Sequence, residues 1–355
     1  MTDFLNLRAV LDFIYNIVQS HGWSIIIFVI LIRAILLPLD VKSRKGMRQM
    51  QLMQPEIDKL TKKYADDKEK LQKKQAELFK KNHYNPMAGC WPILIQYPVL
   101  ICMFGAMHSI ANEQLIREAL TYISGQQPQL ESWLWVKSLW MADSPFTTYA
   151  PSLSSLQAVT DLSVWTKVFK AVDPELLQAA VANIPEFAEA FDFTSAETIA
   201  ASVDAIFSSS DTLQTTISTI YNAMAAQPIY LAASEQSSFM NGVSLLGIIN
   251  LTMYKEYNGL LILPALAGLT QWISTKLMPQ TGSTAQQADG KGGMGNFMKY
   301  FFPILSVYFC LVSNAGFAIY WVMGNIIAGI QTVVLNKYFD MKDKKAAISA
   351  EGDVH

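Results

Sequence analysis

The chain has 355 residues, is 51% hydrophobic and only 16% charged, and carries a formal net charge of −2. Charged residues make up about a quarter of ordinary soluble domains. Here long apolar runs alternate with highly charged ones, which excludes a single soluble globule and predicts an all-α polytopic membrane protein. Cys90, Cys102 and Cys310 each sit in an apolar run, and the four histidines are scattered. That pattern excludes a disulfide framework and gives no metal-ligand spacing, so neither a metal nor a cofactor is expected.

Residues 1–22 lack a basic stretch followed by an unbroken apolar core, so no cleaved signal is expected. Val10, Phe13, Ile14 and Ile17 recur at helical spacing and predict a short helix lying on the membrane surface. The first span follows at 23–40 and contains Arg33. Trp23 to Arg33 is roughly 15 Å of helix, about half the hydrocarbon thickness. The span therefore has to continue through "AILLPL", which leaves the arginine inside it. A charge there costs from about 2.5 kcal/mol to more than 10 kcal/mol. Two readings relieve that cost: snorkelling toward Asp40, or a water-filled cavity between helices.

Residues 41–85 are strongly basic, with 13 Lys and Arg between Val41 and Asn82. Met50, Met53, Ile57, Leu60 and Tyr64 step by three and four and form one apolar stripe on a helix. "YADDKEK" supplies a turn into a second, more polar helix, so the segment reads as a helical hairpin. The stripe either glues the two helices together or offers a repackable Met-bearing contact surface.

A second span is predicted at 86–108. The 109–258 loop holds five basic and 15 acidic residues, and its 144–256 portion is Ala-, Ser- and Thr-rich with helix-compatible segments. Its apolar stretch 243–254 is too short to span and is expected at the interface or buried in the loop. Further spans follow at 259–278, 299–313 and 315–336, separated by a Gly- and Ser-rich loop over 279–298 that is expected to be flexible. A tail occupies 337–355. The contrast in Lys and Arg between the first two loops puts 41–85 in the cytoplasm and 109–258 outside. Five crossings then place the N-terminus outside and the C-terminus inside.

The spans carry polar side chains at Gln96, Thr270, Gln271, Ser274, Thr275, Asn325 and Gln331, yet no Asp or Glu in their cores. An ion or proton pump needs titratable groups there, so a hydrated, positively charged site for peptide capture fits better. The spans are also short: 300–312 is roughly 20 Å of helix, which thins the bilayer locally.

The ordered blocks "IRAILLPLDVKSRKGMRQMQLMQPEIDKLTKKYADDKEK", "NPMAGCWPILIQYPVL", "YNGLLILPALAGLTQWIS", "MKYFFPIL" and "GFAIYWVMGNIIAGIQTVV" resemble the YidC/Oxa/Alb family of membrane protein insertases. The resemblance covers 23–112 and resumes over 257–338. It implies a five-transmembrane-helix bundle with a hydrophilic groove, a cytoplasmic helical hairpin and, particular to this chain, a helical extracytoplasmic insert. It places the family's groove arginine on Arg33 and a groove aromatic on Trp321; Gln96 and Asn325, read from the polar residues of their own spans, join them as expected lining. The family's groove glutamine falls near Ser274, with Gln271 three residues earlier, and either of these could face the groove.

The resemblance also implies nascent membrane proteins as partners, with the Sec translocase, the ribosome, the signal recognition particle pathway and membrane lipids around them, and no specific nucleic acid. The short, mildly basic tail predicts no strong ribosome contact of its own. The missing large periplasmic domain and transit peptide suggest the cytoplasmic membrane of a single-membrane bacterium. The expected function is insertion and folding of membrane proteins without enzymatic chemistry. Two other classes compete with it. A channel or anion transporter with a basic intramembrane site predicts an internal repeat of broken helices, which the sequence lacks; an assembly scaffold would do its work through the insert.

Overall fold

The computed structural model describes residues 5–84, 91–208, 210–237, 243–245, 249–277 and 293–352. Cys90, the "NPMAG" before it and most of the 279–298 loop lie outside them. Helix α1 (Leu7–Val18) buries Leu7, Leu11 and Ile14 against the bundle and exposes Val10, Phe13 and Ile17 on its other face. That division is the amphipathic pattern of a helix with one side on protein and one on a softer apolar medium.

Helix α2 (His21–Lys63) runs without interruption for 43 residues, about 65 Å, through both the predicted first span and the first arm of the hairpin. Pro38 and Pro55 lie within it; each removes one backbone donor and frees a carbonyl one turn earlier without ending the helix. The switch in composition at residue 40 therefore marks where apolar surroundings end, not where the helix does. After a turn at 64–67, the Asp67 side chain accepts from Lys70 N at 3.0 Å and opens α3 (Lys68–Lys81). Met50, Met53, Ile57 and Leu78 form a small core between α2 and α3, joined by Leu60, Phe79 and Tyr84.

Helix α4 (Trp91–Ile123) continues 15 residues beyond the predicted end of the second span. Its last turns, from Leu115 to Ile123, are the spine of the insert. Around them pack α5 (Leu153–Gln157), α6 (Leu162–Ala171), α7 (Pro174–Val181), α8 (Pro185–Ala188), α9 (Ala196–Ile206), α10 (Ser210–Ala225) and α11 (Pro228–Ala233). Local chemistry starts several of these. Asp161 and Asp173 cap α6 and α7, Pro174 occupies the first turn of α7, and Ser152 and Ser195 close capping boxes on α5 and α9. The buried faces of Trp165, Phe169, Ile217, Ile220 and Met224 then close over α4. The 243–254 stretch contributes a two-stranded antiparallel hairpin, β1 (Val243–Leu245) with β2 (Ile249–Leu251), Ser244 opposite Asn250.

The membrane-grade part comprises α2, α4, α12 (Ile262–Leu277), α13 (Gly293–Val312) and α14 (Ala315–Gly352). Three of them are long and apolar enough to cross a membrane, over His21–Lys63, Gln96–Ile123 and Ala315–Lys344. Helices α12 and α13 are shorter, and α12 packs between α13 and α14. Gly268 allows the close approach of α12 to α13, since a Cβ there would meet Val307 Cγ2 at 2.6 Å.

One segment, 131–143, fastens the ends of three helices. Glu131 accepts from the His21 backbone N at 2.7 Å at the start of α2. The fully buried Asp143 accepts from Leu260 N and Leu263 N, both at 2.7 Å, at the start of α12. The carbonyls of Met141 and Leu139 accept from Ala315 N (2.8 Å) and Gly316 N (2.9 Å) at the start of α14. Buried Asn258 ties the segment to itself, accepting from Ser138 N and donating to the carbonyls of Ser138 and Ala142. Two carboxylates and two carbonyls thus meet the positive ends of three helices, and the N-termini of α2, α12 and α14 gather at one end of the bundle.

Candidate functional site: a polar seam between α2 and α14

The site is built on a register between two helices that run in the same direction. Arg33, Arg44 and Arg48 of α2 meet Gly324, Thr332 and Asp340 of α14 in that order. Arg33 Nη2 donates to the Gly324 carbonyl at 3.1 Å, and Arg44 Nη2 donates to Thr332 Oγ1. Arg48 Nη2 pairs with Asp340 at 2.7 Å and Asp343 at 2.9 Å. The seam is reinforced by Gln331 Nε2, which donates to the Arg33 carbonyl at 3.3 Å. At Gly324 a Cβ would stand in ordinary contact, 3.7 Å from Arg33 Nη2.

Arg33 itself is half-buried. Among the described residues it forms no ion pair, and its guanidinium makes one hydrogen bond, to a neutral carbonyl. Asp40 lies within electrostatic reach of both Arg33 and Arg44, and Tyr320 within reach of Arg33. One carboxylate therefore serves two guanidinium groups, and the set keeps a net positive charge.

The other sequence-chosen residues arrange themselves around α14. Gln96 of α4 donates to Tyr320 Oη at 3.4 Å, one turn above Gly324. Ser274 of α12 is buried, its hydroxyl donating to the Asn325 carbonyl at 3.3 Å, and Asn325 Nδ2 reaches Thr270 Oγ1 at 3.5 Å. Gln271 is half-buried on the same helix. Arg33, Gln96, Ser274 and Asn325 are thus linked through α14. Trp321 belongs to an aromatic group with Phe309 and Phe317 at ring distances of 6.2 Å and 5.9 Å, and its buried Nε1 has no acceptor.

In the hairpin, Met50, Met53 and Ile57 are buried between α2 and α3, Leu60 and Tyr64 are half-buried, and the strongly exposed apolar side chain of that arm is Leu52. Reasoning from the sequence missed Gly324, Tyr320 and the Arg44–Thr332 bond. The first offers only a carbonyl and the second reads as one more aromatic in an apolar run. Arg44 is one of 13 basic residues with no mark of its own. Among the described residues, no three His, Cys, Asp or Glu side chains converge as a metal site would require.

Three membrane-length helices among the described residues, fastened at one end, define a helical membrane protein in which a half-buried arginine of α2 meets α14. Comparison with known proteins makes this more specific. The family model described as 60Kd inner membrane protein matches residues 13–192 and 213–344, and the chain belongs to that family. A protein of Fusobacterium nucleatum named membrane protein insertase YidC is 44% identical over 107 residues, 29% of this chain and 52% of the relative. The protein of that name from Clostridium perfringens is 36% identical over 148 residues, 39% of this chain and 56% of the relative. One from Brucella suis is 41% identical over 98 residues, 28% and 16% of the two chains. The chain thus spans about half the length, or less, of the curated relatives it matches.

Proposed function

We propose that this protein is a membrane protein insertase: it receives polar segments of nascent membrane proteins at Arg33 and releases them across the bilayer without making or breaking a bond. Family membership and the names of the relatives support the activity. The observation that carries the site is the Arg33 guanidinium, half-buried in a membrane-grade helix with a neutral carbonyl as its hydrogen-bond acceptor. An arginine so placed holds spare donors, and an acidic or polar substrate tail would satisfy them. Gln96, Gln271, Ser274, Trp321 and Asn325 would line the groove beside it.

Five crossings with the N-terminus outside agree with the packing. The starts of α2, α12 and α14 share one end of the bundle, so α4 and α13 run the opposite way. The basic 41–81 hairpin lies beyond the other end, where positive charge favours the cytoplasm. In this arrangement the fastened end is extracytoplasmic, the hairpin recruits substrate, and the Sec translocase, the ribosome and the signal recognition particle pathway would deliver it.

The test is depletion of the native protein and complementation with Arg33→Ala and Arg33→Lys, scoring insertion of a single-span substrate with a short acidic tail. Arg33→Ala is expected to lose insertion and Arg33→Lys to keep most of it, because charge matters more than fork geometry when the acceptor is a mobile chain. Full insertion by Arg33→Ala would remove the arginine from the mechanism.

A further inference from the structure

Eleven residues below Arg33, a cavity of about 340 Å³ opens between α2, α12 and α14. Arg44, Arg48, Gln51, Asn336 and Asp340 supply its polar lining, with Leu277 and Phe339 on its apolar side.

The two arginines are not equivalent. Arg48 is matched by Asp340 and Asp343. Among the described residues Arg44 has only the neutral Thr332 hydroxyl on Nη2, its Nη1 is buried without an acceptor, and Asp40, the carboxylate that acts on its charge, is shared with Arg33. A buried charged donor left without an acceptor is unfavourable, and a guanidinium fork matches a phosphate better than it matches water.

Depth narrows the source of that phosphate. Arg44 lies about 16 Å beyond Arg33 along α2 and one turn past Asp40, where the apolar run ends. Leu277 of the cavity wall directly follows Lys276, whose Nζ sits 3.6 Å from the centre of the Trp272 ring. A tryptophan with a lysine beside it at a helix end is the signature of the membrane–water interface. Apolar side chains at Ile273, Val334, Tyr338 and Met341 are exposed on the neighbouring helix surfaces. The cavity is therefore polar on one side and apolar on the other, at headgroup level.

We infer that this cavity is a binding site for a phosphate-bearing headgroup of the cytoplasmic leaflet, with Arg44 as its principal ligand and Leu277 and Phe339 against the start of the acyl chains. The occupant is an anionic phospholipid: Asp340 and Asp343 take up Arg48, whereas the Arg44 fork has no close carboxylate of its own, and Lys276 beside Leu277 of the wall adds a positive charge that a zwitterionic headgroup would leave unbalanced. The site is separate from capture of a substrate at Arg33, and it stands or falls independently of the insertase reading.

The test uses the full chain in detergent, titrated with dioleoylphosphatidylglycerol or dioleoylphosphatidylcholine and read by native mass spectrometry. The wild type is expected to bind the anionic lipid about tenfold more tightly, a difference of about 1.4 kcal/mol. Arg44→Gln should abolish that preference, Arg44→Lys should keep part of it, and exposed Lys42→Gln should change it less than about twofold. Leu277→Trp, which fills the cavity without changing charge, should also abolish it and covers the case in which Arg44→Gln fails to fold. Equal binding of the two lipids by the wild type, or a preference that survives both Arg44→Gln and Leu277→Trp, overturns the site. Inorganic phosphate or a hexaglutamate peptide raising thermal stability in an Arg44-dependent way, with no lipid preference, overturns the lipid assignment in favour of a free anion or an acidic chain.

Discussion

Replacing Asp143 by Ala should open the fastened end of the bundle at one defined place. Asp143 accepts two main-chain bonds of 2.7 Å from Leu260 and Leu263 and a longer one, 3.2 Å, from Trp135 Nε1. Hydrogen bonds to a charged acceptor contribute about 1.5–3 kcal/mol each, so the two short bonds amount to about 3–6 kcal/mol. Against that loss, the bonds flank Leu261, which is held at φ 64°. A left-handed conformation costs an L-residue roughly 1–2 kcal/mol, and this strain is released when the latch is cut. The net loss of local stability is then about 3 kcal/mol, or roughly 100-fold in the opening equilibrium at about 1.4 kcal/mol per factor of ten. Amide hydrogen exchange on the intact protein in detergent reads this directly, because exchange follows local opening. Peptides covering 258–266 should exchange roughly 100-fold faster in Asp143→Ala and by an intermediate factor in Asp143→Asn. The control Asp161→Ala, which removes an exposed cap of α6, should leave 258–266 unchanged. Exchange at 260–263 within about threefold of wild type in Asp143→Ala would refute the latch.

Two further substitutions probe other contacts. Glu131 is partly buried, which pushes its carboxyl pKa up, but the bonds it accepts from His21 Nδ1 and N and from Trp140 outweigh burial and hold it below the usual carboxylate range. A depressed folded pKa gives stability that is present above the ordinary value of about 4.3 and is lost as pH falls through the lower folded value. Glu131→Gln should therefore cost about 1–3 kcal/mol at pH 7, and its thermal stability should converge on wild type near pH 3; a constant gap across that range would contradict the assignment. Ile57→Ala removes a fully buried side chain from the small core between α2 and α3 and should cost about 2–5 kcal/mol, speeding limited proteolysis at the 64–67 turn while sparing the insert. Met53→Leu conserves volume and should leave insertion intact if the stripe serves only to pack the hairpin. Loss of insertion with the hairpin still protected would make Met53 a contact residue.

Two kinds of signal made parts of this fold legible. Hydropathy located the apolar helices, because membrane burial imprints composition over some twenty residues. The three-four spacing from Met50 to Tyr64 marked a helix with one apolar stripe, since the core between α2 and α3 is periodic and local. In the insert, composition gave helix-compatible segments only, and the caps at Asp161, Asp173 and Ser195 that start its helices emerge from the structure. Helix ends were less legible. The continuations of α2 to Lys63, α4 to Ile123 and α14 to Gly352 pass from lipid-grade to water-grade sequence without a break, because composition reports surroundings and not backbone conformation. Least legible were pairings across long separations. Arg33 and Gly324 are 291 residues apart, and Asp143 and Leu263 are 120 apart. The acceptor in the first pair is a main-chain carbonyl, which every residue carries, and the donors in the second are main-chain amides. No residue type announces either contact.

The two ends of the bundle differ in how their charges are satisfied, and this difference argues for the direction in which it works. At the fastened end Glu131 has His21 and Trp140 as donors, and Asp143 has two amides and an indole. Along the α2–α14 seam, Arg48 is matched by two aspartates, whereas Arg44 and Arg33 share one carboxylate that pairs with neither at close range. The matching of positive charge by carboxylates thus falls from Arg48 inward to Arg44 and Arg33. On the insertase reading proposed above, an acidic tail entering past Arg48 would meet Arg44 first and Arg33 deeper. Such a gradient is held at a cost in stability, since a half-buried arginine with one neutral acceptor is unfavourable in the folded state. Arg33→Leu should therefore raise thermal stability in detergent while insertion falls, the opposite signs expected where a destabilising residue is kept for function. A parallel loss of stability and insertion would instead make Arg33 a structural strut between α2 and α14.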